Sequence, residues 1–218
     1  MAQSSSPEET ANPSHIRPTT PAETWQALHD GNRRFMVGES IHPHQDAQRR
    51  LELTAGQKPH TVVLACSDSR VPVELIFDQG LGDIFVIRTA GHITDLSVLA
   101  SLEFAVVSLK VNMVVVLGHE SCGAVKAAQN ALDGGELPGG FQLVLVEKVT
   151  PSLLAAKRNN EFGSDAFEKR HVREIVEHVL ERSPEIQAGI QDGTLGLAGM
   201  RYRLVDGMAE PVVKLGLD

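Results

Sequence analysis

Cysteine is nearly absent from this chain, with only Cys66 and Cys122 among 218 residues. That excludes a disulfide-stapled scaffold and fits a reducing compartment. Aromatic residues make up only 4 % of the chain, so aliphatic side chains must build the core. No run of about 18 apolar residues offers a membrane-spanning helix. The N-terminus lacks the apolar stretch of roughly 7–15 residues found in a secretory signal. Positive charge is also scarce: 20 Lys and Arg against 28 Asp and Glu leave a net charge of −8. Neither nucleic acid nor an anionic membrane is therefore an expected partner, because both are gripped by clustered cations. A cytoplasmic protein is expected.

An apolar fraction of 42 % is enough for one ordinary globular core. Residues 1–20 are rich in Ser, Thr, Pro and acid and read as a disordered tail. Residues 21–218 read as one domain. Thr20, Pro21 and Glu23 form a helix-start signal, with a hydroxyl cap, Pro at the first position and Glu three residues on. A helix is expected over 21–37 and a shorter one over 45–54.

Three apolar runs rich in β-branched residues follow: Thr61–Cys66, Ile84–Thr89 and Met113–Gly118. Such runs suit strands buried on both faces of a parallel sheet. Thr94–Lys110 reads as the crossover helix between the second and third. Further helices are expected over Cys122–Leu132, Phe141–Lys157 and Ser164–Arg182. Pro151 should kink or break the middle one, and Ser183-Pro184 should stop the last. Leu195–Val205 and Met208–Leu215 flank Asp206-Gly207, a hairpin signal, and Pro211 suits an edge strand. The expected fold is therefore α/β: a mostly parallel four-stranded sheet with an antiparallel C-terminal edge strand, flanked by helices.

Two segments carry chemistry. Cys66-Ser67-Asp68-Ser69-Arg70 ends the first strand, and His119-Glu120-Ser121-Cys122 follows the third. Both fall at carboxyl ends of parallel strands, where open α/β sheets bind ligands. Thiolate, imidazole and carboxylate are the side chains that zinc accepts. Cys66, His119 and Cys122 supply three ligands, and Asp68 or a water can supply the fourth. Taken singly, a cysteine at a strand end is most often an inert buried hydrophobe; the conjunction is what points to a metal. A purely structural zinc site is the stronger alternative, but such sites usually close with four protein ligands, and Arg70 could draw Asp68 off the metal.

The paired motifs resemble those of the β-class carbonic anhydrases. The flanking stretches Gly31–Phe35, Ala65–Pro72, Ile76–Asp83 and Gly118–Val125 agree, and the likeness spans about residues 21–215. The resemblance implies reversible hydration of carbon dioxide to bicarbonate by metal-bound hydroxide, with one Zn²⁺ per subunit. It makes Cys66, His119 and Cys122 permanent ligands and Asp68 and Arg70 the catalytic pair. It also implies a substrate pocket of Gln57, contributed by a partner subunit, with Phe85 and Ala90 on the apolar side. An N-terminal helical arm would wrap that partner in a homodimer or a dimer of dimers. A hydrolase acting on carbonyl sulfide or carbon disulfide through the same zinc site is the alternative. Some bacterial relatives hold a regulatory bicarbonate with a Trp three residues before the first Cys; Val63 stands there, so no such site is expected. His92 is the candidate nearest the pocket to carry the proton outward, ahead of His42, His44 and His60, against the plainer reading of a surface histidine.

Overall fold

The computed structural model describes residues 17–217. The expected tail therefore lies outside the described residues except for its last four. Of these, Arg17 donates to the Pro59 carbonyl at 2.8 Å and Thr20 caps the first helix.

Helix α1 spans Pro21–Val37. The Thr20 hydroxyl accepts from the Glu23 amide, and the Glu23 carboxylate accepts from the Thr20 amide. This is the reciprocal cap read from the sequence. Gly38, at φ +74°, closes the helix. Helix α2 covers Ala47–Glu52 and tightens into a 3₁₀ turn over Leu53–Ala55. Then come β1 (Thr61–Cys66), the short α3 (Val73–Ile76), β2 (Ile84–Thr89), a tight turn over Ala90–His92, and α4 (Leu96–Glu103). The expected single crossover helix is instead α4 followed by a wider π-helical turn over Phe104–Ser108. Next are β3 (Met113–His119), α5 (Gly123–Leu132), α6 (Leu143–Arg158), α7 (Ser164–Arg182), α8 (Pro184–Gln191), β4 (Gly196–Tyr202) and β5 (Ala209–Leu215).

Pro151 does not break its helix, and Ser183-Pro184 does more than stop one. Helix α6 continues across Pro151. Its Val149, Leu153 and Ala156 are fully buried, and burying each larger apolar side chain offsets the roughly 3 kcal/mol that an interior proline costs. Ser183-Pro184 does end α7, but it also starts α8: the Ser183 hydroxyl accepts from the Ile186 amide, and Pro184 occupies the first position. A helix stop and a helix start share one signature when a hydroxyl precedes proline.

The five strands run in the order β2-β1-β3-β4-β5. The first four are mutually parallel, and β5 is antiparallel to β4. Pro211 sits on edge strand β5, beside a bulge at Gly199 and Met200. The link between β4 and β5 is wider than a two-residue turn, with Arg203 and Met208 closing it. Alternate residues of the buried strands feed two cores. Val62, Leu64, Val114 and Val116 meet α4, α7 and α8 on one face. Val63, Ala65, Val115 and Leu117 meet α1 and α3 on the other. The chain leaves β1 toward β2, then returns past β1 to place β3 on its other side. That reversal opens a crevice at the carboxyl ends of β1 and β3, where Cys66 and His119 stand.

Candidate metal centre

Cys66 is the last residue of β1, His119 is the last of β3, and Cys122 caps α5. All three are buried, and their donor atoms lie within 4.8 Å of one another. Helices α5, α6 and α7 pack beneath them through Ala124, Val125, Leu153 and Phe167.

The electrostatics suit a cation. His119 Nδ1 donates to the Glu120 carbonyl at 2.8 Å, which fixes the tautomer and leaves Nε2 as a lone pair. That Nε2 is buried and has no hydrogen-bond partner among the described residues. Such an orphan, grouped with two buried thiols, is a ligand position. Cys66 is pulled down to about 4, first by a hydrogen bond from Cys122 and against the cost of burial. Cys122 is pushed up, because it serves as donor to Cys66 and is buried. Both thiols would give up their protons to a soft divalent cation bound between them. A thiolate, a second thiolate and an imidazole form a donor set that fits zinc.

Asp68 stands beside this set but is not one of the converging donors. Arg70 grips it with Nε to Oδ1 at 2.9 Å and Nη2 to Oδ2 at 2.7 Å, and the Arg70 amide adds a third bond. These bonds hold the carboxyl well below the usual range. Its Oδ2 remains 3.9 Å from His119 Nε2, close enough to reach a molecule bound there. Arg88, on β2, donates to the carbonyls of Cys66 and Asp68 and so fixes the loop that bears both.

A cleft of about 480 Å³ opens on the centre, lined by Cys66, Asp68, Ala90, Gly91, Ala124 and Leu145 among others. Gln57 and Phe85 do not line this cleft. Gln57 is exposed before β1, and Phe85 lies near the start of β2, its ring 6.1 Å from that of Phe104. The surface-histidine reading of His92 is overturned, since it is 1 % exposed. Burial pushes its pKa well below the ordinary value, and a group held neutral away from water does not ferry protons to it. His60 is buried at the far end of β1, between Thr61 and Gln79.

Sequence reading missed Arg88, Glu168 and His171. Each had a signal: Arg88 is a charge inside an apolar strand, and the other two are polar residues on the apolar stripe of α7.

As a class, this is an α/β protein with a buried thiol–imidazole–thiol centre at its switch point. A sequence model described as carbonic anhydrase matches residues 61–209. A carbonic anhydrase of Mycolicibacterium smegmatis is 50 % identical over 91 % of this chain and 96 % of its own length. Carbonic anhydrase 2 of Mycobacterium tuberculosis is 50 % identical over 88 % of this chain and 92 % of its own. The solved β-carbonic anhydrase CcaA superposes with a TM-score of 0.64 at 28 % identity, covering 85 % of this chain and 86 % of that one. The chain belongs to the carbonic anhydrase family, in its β class, and is an enzyme of that lyase type.

Proposed function

We propose that this enzyme hydrates carbon dioxide reversibly to bicarbonate and a proton, with zinc held by Cys66, His119 and Cys122. The observation that carries the reading is the convergence of those three donors beside a carboxylate that Arg70 keeps off them. Zinc bound there supplies a Lewis acid that makes a coordinated water acidic near neutral pH.

Two thiolates temper that acidity, so the chain's own groups must assist. Asp68, with both oxygens set by Arg70, accepts a hydrogen bond from the attacking O–H and turns its lone pair toward the cleft. Arg70 keeps the carboxylate ionised and in place. Ala90, Ala124 and Leu145 give carbon dioxide, a small apolar molecule, a dry wall. Gln57 of the neighbouring subunit donates to the substrate oxygen on which charge develops, an interaction worth about 2.7–4 kcal/mol when well placed. The assembly is a homodimer or a dimer of dimers. Edge strand β2 has no partner on its outer side among the described residues, and Phe85 on that strand serves a neighbour's cleft. Both cysteines are free and no described helix is long and apolar enough to cross a membrane, which supports a cytoplasmic location.

Stopped-flow hydration of carbon dioxide, with zinc content measured on the same sample, tests the reading. Asp68→Asn should lower turnover by about 10²–10⁴-fold while the three-ligand zinc stays bound. A fully loaded native enzyme without activity above buffer at pH 8.5 would refute the proposal.

A further inference from the structure

We propose that one face of α7 holds the two halves of the metal centre in register, with Glu168 and His171 as positioning residues. The inference rests on the reading of Cys66, His119 and Cys122 as ligands. The ladder between β1 and β3 ends at Ala65 and Leu117, so the 119–122 loop and the 90–92 turn beyond it, which complete the centre, have no ladder between them to hold them. Glu168 and His171 are one helical turn apart on α7 and are 2 % and 0 % exposed. Polar groups on a buried face are costly unless each is partnered, and these two are partnered to the site.

Glu168 Oε1 accepts from the Ser121 amide at 2.7 Å. Ser121 lies between His119 and Cys122 with φ +59°, a backbone state that a serine holds only when its surroundings impose it. The other carboxylate oxygen accepts from Arg201 Nε at 2.8 Å, so Glu168 cannot swing away.

His171 acts on the opposite half. Its Nδ1 accepts from the Ser152 hydroxyl at 2.9 Å, which leaves Nε2–H to donate to the Gly91 carbonyl at 2.9 Å. The Gly91 amide in turn donates to Cys66 Sγ at 3.2 Å. Gly91 and His92 are both left-handed, at φ +67° and +43°, so the turn that presents this amide needs an outside hold. Two bare glycines let α7 and α5 come close enough. A methyl at Gly118 would lie 2.4 Å from Val172, and one at Gly91 would lie 2.6 Å from the Ala124 methyl. Helix α7 thus grips the His119–Cys122 loop with a carboxylate and the Cys66 side with an imidazole.

The test compares Glu168→Ala and His171→Leu with the conservative Glu168→Gln and His171→Gln. Glu168→Gln keeps an acceptor for Ser121, and His171→Gln keeps a donor for Gly91. The readouts are zinc retention against a chelator, the visible absorption spectrum of the cobalt-loaded protein, and the urea midpoint. The first pair should hold zinc about 10–100-fold more weakly and shift the cobalt bands, and the glutamine pair should recover most of both. Ser152→Ala, which leaves both α7 side chains in place, should shift the bands less and in the same sense. It decides the matter should a truncation not fold. Unchanged zinc retention and cobalt spectra in every variant, with normal zinc uptake by the native chain, would overturn the clamp alone. A native chain that takes up no zinc would overturn the reading of the centre and the clamp with it.

Discussion

Asn32 offers a direct test of how α1 is attached to the body. It lies in the helix, 4 % exposed, and makes three bonds to distant backbone. Its Nδ2 donates to the carbonyls of Ile76, at 3.1 Å, and Gly207, at 2.9 Å, and its Oδ1 accepts from the Ala209 amide at 2.9 Å. One side chain therefore ties α1 to α3 and to the β4–β5 connection. In Asn32→Ala all three backbone groups lose this partner while the elements stay packed. An unsatisfied buried group costs about 1–3 kcal/mol. Some of the total is recovered by water entering the vacated volume, so a loss of about 3–5 kcal/mol is expected. Equilibrium urea unfolding of the zinc-loaded enzyme, at fixed protein concentration and with the slope unchanged, measures it. Asn32→Asp should be no better, because a carboxylate keeps the Ala209 bond but faces two carbonyls it cannot donate to. If Asn32→Ala unfolded within about 1 kcal/mol of the native enzyme, the side chain would not be the tether described.

Gly31→Ala should also loosen α1, since the added methyl would lie 1.8 Å from the Phe77 carbonyl oxygen; a fall of about 1–3 kcal/mol in unfolding free energy is expected. Acid should destabilise the fold through His171. Burial lowers its pKa to about 4, from 6.5 in the unfolded chain. Between those values the unfolded state takes up a proton that the folded state refuses, so stability is full above pH 6.5 and falls as pH drops toward 4. The span of about 2.5 units corresponds to about 3 kcal/mol. Unfolding curves at pH 6.5 and 4.5 should show a drop that His171→Gln reduces, the remainder coming from His92, which burial also holds below its ordinary value; equal drops in both proteins would contradict this account. Bicarbonate should inhibit only as a product. Val63, at the position where some relatives carry the Trp, is fully buried in the core, so cooperative inhibition in initial-rate assays would show a regulatory site that this residue does not provide.

Much of the fold is legible locally. The Thr20 cap, the apolar strands and the stripe of α7 follow from periodicity and end signals, which depend on neighbours a few residues away. The pairing of the two ligand segments is legible as well, because strand ends in a parallel sheet share one edge. The sequence by itself therefore determined the helices at 21–37 and 164–182, the strand positions, and the three donors that meet in the crevice. Only the tertiary structure decided that Asp68 rests on Arg70, that His92 is buried, that α6 runs through Pro151, and that Glu168, His171, Arg88 and Asn32 each hold a distant piece of backbone. Those outcomes turn on burial and on hydrogen bonds between remote parts of the chain, and no local period encodes which remote carbonyl a packed side chain will reach.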